Sequence, residues 1–466
     1  MGGKLRQDQL HPDGLPAPQR IWAIVTIALG IVMAVMDSSI ANVALPTIAG
    51  DLHASPALSI WVVNGYQLAI TISLLPLAAL GDIIGYRRVY VAGLVLFTLA
   101  SLFCAVSHSL PMLAVARVVQ GFGGSGIMSV NSALIRFIYP HRLLGRGLSI
   151  NTLIVAVSAA LGPTAASAIL SVGDWPWLFA VNIPFGLAAI AIAIRALPRT
   201  PRAGHSFDIA GAALIALLFG CLIGSIDAFG HGESLPWFAV ELAVTAAIAF
   251  LMVRREATAA APMLPVDLMR IPIFALSIAT SVCSFAAQML ALVSLPFLLQ
   301  SELHFTAVQT GLLITPWPIA IALVSPIAGR LADRYPAGLL GAIGLVVFAS
   351  GLFALALLPD PPGVTDISWR MALAGVGFGL FQSPNNRAMI GSTPRERSGG
   401  ASGMLGTARL LGQTVGAVLV ALVFSRVAGH GTVVCLYVAV GFALAAAAVS
   451  SLRLFDRTAD AAPNPR

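Results

Sequence analysis

Residues 78–88 read AALGDIIGYRR, and residues 329–338 read GRLADRYPAG. In both, a leucine stands two positions before an aspartate (Leu80 and Asp82, Leu331 and Asp333) at the end of an apolar run, and basic residues follow. The intervals beyond them match: 80 residues separate Asp82 from Gly162 in SAALGP, and 83 separate Asp333 from Gly416 in GQTVG. The small-xxx-small pairs Ser158/Gly162 and Gly412/Gly416 therefore hold equivalent places. Such a repeat predicts two homologous helical bundles, each with a polar inner face, packed around a cavity at the midplane of a membrane.

Composition points the same way. The 466 residues are 58% hydrophobic and 10% charged, and the mean hydropathy is +0.91, which excludes an ordinary soluble enzyme and predicts an all-α integral membrane protein. A helix needs roughly 20 apolar residues to cross the hydrocarbon core. Fourteen runs qualify, near 21–45, 58–79, 88–107, 110–134, 147–171, 175–197, 208–228, 235–253, 271–299, 307–327, 338–358, 368–389, 399–425 and 431–452. The first is too long for a signal-peptide core and leads into MDSSIANV, not a small-residue cleavage site, so it is read as a retained helix.

The net charge of +7 follows the membrane and gives no reason to invoke nucleic acid. With the N-terminus inside, the basic residues of the loops and tails, from Lys4 to Arg466, fall on cytoplasmic segments, apart from Arg370 and Arg426, which face outward; that asymmetry predicts both orientation and an even helix count. The organisation expected is a cytoplasmic tail (1–20), a six-helix bundle (21–200), an inserted helix pair with its linkers (201–270), a second six-helix bundle (271–455) and a cytoplasmic tail (456–466). Cys104, Cys221, Cys283 and Cys435 lie within spans without metal-type spacing and are expected to be buried free thiols.

One acid and one base lie deep in the first bundle. Counting ~1.5 Å per residue from the outer helix ends, Asp37 lies roughly 13 Å below Pro46 and Arg117 roughly 10 Å below Leu110, so they sit at similar depth. Gly30, Ala34, Asp37 and Ala41 share one helix face, a small-residue stripe that packs inward. Burial favours the neutral form of any carboxyl and a neighbouring guanidinium the charged one, so an acid placed there can take and lose a proton. The alternative is a structural aspartate permanently paired with Arg117. GFGGSG, residues 121–126, formally satisfies the dinucleotide pattern GxGxxG, but it lies mid-span with no strand before it, where small residues let helices approach.

Six stretches carry a family resemblance. AALGDIIGYRR is similar to the loop signature GxLADRxGRR through Leu80, Asp82, Gly85, Arg87 and Arg88, departing at Ala78, Ile83 and Tyr86; RVVQGFGG (117–124) is similar to RxxQGxGxA. SAALGPTAAS (158–167) keeps Gly162 and Pro163 of GxxxGPxxGG, and DWPWLFAVNIPFG (174–186) is similar to WRWxFxxNxPxG with Pro176 where arginine is usual. MDSSIANVALP (36–46) is similar to LDxTxxNxALP, and residues 381–416 are similar to the twelfth and thirteenth helices of the same proteins. Together they resemble the major facilitator superfamily, in its fourteen-helix drug/proton antiporter branch.

The resemblance implies an all-α major facilitator fold of two pseudo-symmetric six-helix bundles plus an inserted pair. It implies proton coupling at Asp37 and Arg117, a conformational switch loop at Asp82, Gly85, Arg87 and Arg88 with its repeat at Asp333 and Arg334, and antiporter-type packing at Gly162 and Pro163. An Asp at a helix end that faces arginines can hold one side of a transporter shut. Candidate cavity residues are Asn42, Asn64, Gln67 and Gln120 in the first bundle and Gln288, Trp317, Phe378, Gln382, Asn385, Arg409 and Gln413 in the second, each with simple packing as the alternative. No acid lies deep in the last six helices, so Arg409 is either satisfied by carbonyls and amides such as Gln382 or part of a binding or coupling site.

The function expected is proton-coupled efflux of lipophilic compounds, cationic ones included, across a bacterial-type cytoplasmic membrane by alternating access. The alternative is proton-coupled or facilitated movement of a specific metabolite. No enzyme activity is expected: the chain offers no nucleophile and base pair, metal cluster or nucleotide loop, so the power source expected is the proton gradient, without a cofactor or metal. The partners expected are the lipid bilayer, a small-molecule substrate and protons, with no nucleic acid or nucleotide; accessory efflux partners are left open by the sequence.

Overall fold

The computed structural model describes residues 14–140, 143–200, 207–230, 234–256, 266–332, 334–359, 361–393, 398–427 and 429–454. Asp333, Arg142, Arg202, Arg395 and Arg397, and the tails except 14–20 lie outside them. The described chain is helical. In order come α1 (Ala17–Asp51), α2 (Pro56–Ser59), α3 (Trp61–Ile84), α4 (Tyr86–Ala105), α5 (Leu110–Ser129), α6 (Asn131–Ile138), α7 (Leu144–Leu170), α8 (Pro176–Ala180), α9 (Asn182–Ala196), α10 (Ile209–Gly230) and α11 (Leu235–Glu256). After a 3₁₀ turn at Val266–Arg270 follow α12 (Pro272–Phe297), a π turn at Leu298–Glu302, α13 (Ala307–Ile314), α14 (Pro316–Leu331), α15 (Ala337–Ala356), α16 (Val364–Gly391), α17 (Ser398–Arg426) and α18 (Gly431–Leu452).

Several helices are pieces of one span. Leu110–Ile138 runs through α5 and α6, Pro176–Ala196 through α8 and α9, and Ala307–Leu331 through α13 and α14, where Pro316 cannot donate a helical hydrogen bond. Twelve such spans are long and apolar enough to cross a membrane among the described residues. With the apolar α10 and the glycine-rich α16 they account for the fourteen runs read from the sequence. Their hydroxyls turn inward onto their own helices: Thr26 donates to Trp22 O (3.0 Å), Thr71 to Gln67 O (2.8 Å) and Ser294 to Leu290 O (2.7 Å). Without water, that is how a serine or threonine stays satisfied.

The chain divides into two compact units, Met1–Ala54 with Trp61–Phe219, and Ser55–Ile60 with Gly220–Arg466. The packing inside them repeats. In the first, Gly121 lies against Tyr66 and Ala69, and Gly123 against Phe97 and Gly93; in the second, Gly375 lies against Trp317 and Ala320, and Gly377 against Phe348 and Gly344. The four partners are displaced by one constant interval, and the two glycines by another, slightly longer. The decoy GFGGSG is thus half of a helix-packing seam, and its counterpart in α16 serves the same purpose.

A Cβ at Gly377 would overlap the Phe348 backbone, whereas one at Gly441 would meet nothing within 4 Å. Gly377→Ala is therefore expected to destabilise by about 1–3 kcal/mol through overpacking, while Gly441→Ala, which only improves helix propensity, does not. Thermal unfolding of the two purified variants in detergent checks this.

The core of the second unit is aromatic. Trp317 and Phe348 meet at 5.6 Å between ring centroids, Phe348 and Phe378 at 5.4 Å, Phe285 and Phe378 at 5.3 Å, and Phe378 and Phe381 at 5.7 Å, all edge to face. The four cysteines are free, but only Cys104 and Cys435 are buried; Cys221 and Cys283 are partly exposed.

Candidate functional site

The face of α1 that carries Gly30, Ala34, Asp37 and Ala41 is buried throughout. Its small residues admit neighbours: Tyr90 fills the space over Gly30, and Ser39 packs on Gly162 of α7, so the glycine before Pro163 lets a second helix lie close to the acid. Pro163, inside α7, accepts at its carbonyl from Ser167 Oγ at 3.0 Å.

Asp37 and Arg117 form an ion pair, with side chains 1% and 0% exposed. Arg117 Nη1 donates to Asp37 Oδ2. The other carboxylate oxygen, Oδ1, accepts from Gln120 Nε2 at 2.8 Å and from Asn182 Nδ2 at 2.9 Å. Three donors from α5 and α9 thus converge on one carboxylate of α1.

Arg117 is itself held by more than its counter-ion. Its Nε donates to Val62 O at 2.9 Å, its Nη1 also to Gln120 Oε1 at 2.6 Å, and the guanidinium lies 4.2 Å from the Tyr66 ring centroid and 5.4 Å from that of Phe179. Gln120 reaches on to Ser101 Oγ at 2.9 Å and accepts from Cys104 Sγ at 3.5 Å. The pair is the centre of a polar network spanning α1, α3, α4, α5 and α9, all within the first unit.

The second unit holds no such centre at the equivalent places. Trp317 stands where Tyr66 does, and Trp317, Met371 and Ala374 around that seam are all buried. Two candidate cavity residues, Trp317 and Phe378, each 1% exposed, pack into the aromatic core, the alternative that the sequence leaves open for them, and Trp317 Nε1 has no hydrogen bond among the described residues. Gln120 is likewise committed to the ion pair. Asn385 is fully buried, donating to Ser281 Oγ at 2.8 Å and accepting from Arg453 Nη1 at 2.9 Å.

The remaining candidates other than Gln67 keep unspent polar atoms or partial exposure. Asn42 and Asn64 are buried with Oδ1 atoms that have no hydrogen bond among the described residues; Gln67, in α3 with Asn64, is buried too. Gln288, Gln382 and Gln413 are half-buried. Arg409, also half-buried, lies 5.7 Å from the Phe285 ring and makes no hydrogen bond with Gln382 or any other described residue.

At the switch loop the structure differs from the motif's expectation. Asp82 accepts from the Tyr86 hydroxyl, one turn on, and has no ion pair among the described residues. The reason lies in the sequence: Tyr86 replaces a basic residue of the motif and brings a donor to the carboxylate instead of a charge. Gly85 adopts φ +100°, a left-handed conformation that glycine reaches without strain. Arg87 donates to Ile194 O, the Tyr86 backbone N–H donates to Thr200 Oγ1 at 2.9 Å, and Arg88 and Arg334 are exposed.

Three contributors had no role in the sequence-level reading. Asn182 lies in the stretch DWPWLFAVNIPFG, where a polar residue in an apolar helix was itself a signal. Tyr66 had a weaker one, an aromatic one residue before Gln67. Arg453, at the end of α18, reads in the sequence only as one of the basic residues that set topology; it is buried and bonded to Ser277, Asn385 and Ser450. The hydroxyl run Ser277, Thr280, Ser281 on α12 marks its receptor. Asn182→Ala removes one bond to a charged acceptor in a buried site and is expected to cost about 1.5–3 kcal/mol, seen as an earlier thermal unfolding of the purified protein.

The family model described as Major Facilitator Superfamily matches residues 27–417 and, in a second match, 276–466. The chain belongs to that superfamily. Its relatives include an uncharacterized transporter, YebQ, of Escherichia coli (strain K12), 58% identical over 96% of this chain and 98% of the relative. The riboflavin transporter RibZ of Clostridioides difficile (strain 630) is 28% identical over 88% and 89%, and the multidrug export protein EmrB of Escherichia coli (strain K12) is 30% identical over 86% and 80%. A crystal structure of a bacterial homolog of the human lysosomal transporter Spinster, inward-facing and unoccupied, superimposes with a TM-score of 0.70 at 14% identity, covering 97% of this chain and 100% of that one. As a member of the superfamily's drug-transporter branch, this multi-pass membrane protein moves small molecules and is not built for catalysis.

Proposed function

We propose that the protein exports lipophilic compounds, cationic ones included, in exchange for protons across a bacterial cytoplasmic membrane, with both termini on the cytoplasmic side. The observation that carries this reading is the buried carboxylate of Asp37, paired with Arg117 and accepting from Gln120 and Asn182. A group 1% exposed is closed to bulk water until the surrounding helices move, so a proton can reach it only together with a conformational change. When Asp37 takes a proton, Arg117 loses its counter-ion but keeps the Val62 carbonyl, the Gln120 amide oxygen and the Tyr66 face. Those reserve partners keep the guanidinium in contact when its counter-ion is lost.

In the cycle proposed, substrate binds from the cytoplasm while Asp37 is ionised, the outward-open state releases it, and an external proton neutralises the acid and favours return. One charge moving through 100 mV supplies about 2.3 kcal/mol, enough for roughly a fiftyfold gradient. The half-buried glutamines and Arg409 supply the polar contacts of the substrate site in this reading, and the orientation follows from the arginine asymmetry of the loops. The multidrug export proteins among the relatives support export of lipophilic compounds; the riboflavin transporter supports a single metabolite instead.

Proteoliposomes with an imposed pH gradient separate the two. With a panel of lipophilic cations, neutral drugs, acidic drugs and riboflavin, export requires several lipophilic compounds to move against the proton flux. Movement of riboflavin alone, or of substrate and protons in the same direction, supports the metabolite reading.

A further inference from the structure

The first unit carries a cavity of about 650 Å³ at the turn between α3 and α4, away from the buried pair. Arg87, Arg88 and Arg199 line it together with Thr200, and Val91 and Ile194 form its apolar wall. Three guanidinium groups meet there without an acid. Arg87 spends one donor on the Ile194 carbonyl and is repelled by Arg199. Arg88 and Arg199 are exposed and have no hydrogen bond or ion pair among the described residues. Asp82, the acid of this turn, is engaged by Tyr86.

Such a cluster at the end of membrane-spanning helices lies where lipid headgroups lie, and arginine forks match phosphate oxygens. The surface leading away from it is apolar. On α4, Arg88 is followed at helical spacing by Ala92, Val95, Leu99 and Phe103, the last three exposed; on α9, which packs against α4, Ile194 and Leu187 are exposed too. A free phosphate has no use for that surface, whereas acyl chains do.

We propose that this pocket binds the phosphate of an anionic phospholipid, with the acyl chains lying along α4 and α9. Basic pockets beside membrane helices are recognised lipid headgroup sites in general terms, and here the cationic rim and the apolar stripe belong to the same pair of helices.

The test uses the full-length protein in detergent, titrated with phosphatidylglycerol or phosphatidylcholine and followed by native mass spectrometry. Phosphatidylglycerol is expected to be retained and phosphatidylcholine lost. Arg88→Gln/Arg199→Gln is expected to weaken phosphatidylglycerol retention roughly ten- to thirtyfold, with Arg199→Gln alone intermediate. Both side chains are exposed, so gel filtration should show variants as monodisperse as wild type. Arg254→Gln/Arg255→Gln removes two positive charges elsewhere and should leave retention unchanged. Retention undiminished in the first variant, or equally diminished in the second, overturns the site; displacement of the lipid by an equal concentration of inorganic phosphate overturns the lipid as its ligand.

Discussion

Asparagine at position 37 is expected to yield a folded protein that no longer drives uphill transport. The amide has the shape of the carboxylate and keeps an oxygen for the Gln120 and Asn182 donors, which now reach Asp37 Oδ1 at 2.8 and 2.9 Å. What it cannot do is change charge. In proteoliposomes the accumulation ratio should therefore fall from as much as roughly fiftyfold per proton at 100 mV to about one, while downhill exchange of labelled substrate continues. Downhill exchange matters because it separates a lost coupling site from a lost fold. An Asp37→Asn protein that still accumulates substrate against its gradient would remove Asp37 from the coupling step and leave it a structural acid.

Much of this site was legible before any coordinates. An aspartate on a stripe of small residues and an arginine at equal depth on another helix can scarcely avoid each other in hydrocarbon, because each alone is costly there. Depth counting from helix ends needs only the rise per residue, and it sufficed to pair Asp37 with Arg117. The repeat was legible for a related reason: glycines that let helices touch cannot change identity without separating them, so their spacing survives between Gly121 and Gly123 in one unit and Gly375 and Gly377 in the other.

Side-chain allegiance was not legible. Trp317, Phe378 and Asn385 have the composition of ligand-binding residues, but whether a helix turns them toward a neighbouring helix or an opening depends on rotation that an apolar sequence barely records. Here Trp317 and Phe378 are claimed by Phe348, and Asn385 by Arg453. Asp82 misled in the opposite way. Its motif predicts a charge partner, and the substitution that changes the partner, Tyr86, is visible in the sequence but only means something once the phenol is seen one turn from the carboxylate.

The largest effect on stability is expected from Arg117→Met. Methionine fills comparable space and removes the charge, leaving the Asp37 carboxylate 1% exposed with only Gln120 and Asn182 as donors. Removing one member of a buried ion pair costs about 3–5 kcal/mol, because the remaining charge is stranded. The cost should be recovered in large part by Arg117→Met/Asp37→Asn, which strands nothing. A double-mutant cycle on thermal unfolding of the purified proteins therefore predicts a strong favourable coupling between the two positions. Cys104 supplies a local readout, since its buried thiol rests on the same Gln120 that bridges the pair. Its labelling by a thiol reagent, followed by mass spectrometry, should accelerate in Arg117→Met and slow again in the double variant. If Arg117→Met is as stable as wild type and the second substitution restores nothing, the acid holds a proton in the resting state. The cycle proposed here would then have to begin from the protonated form.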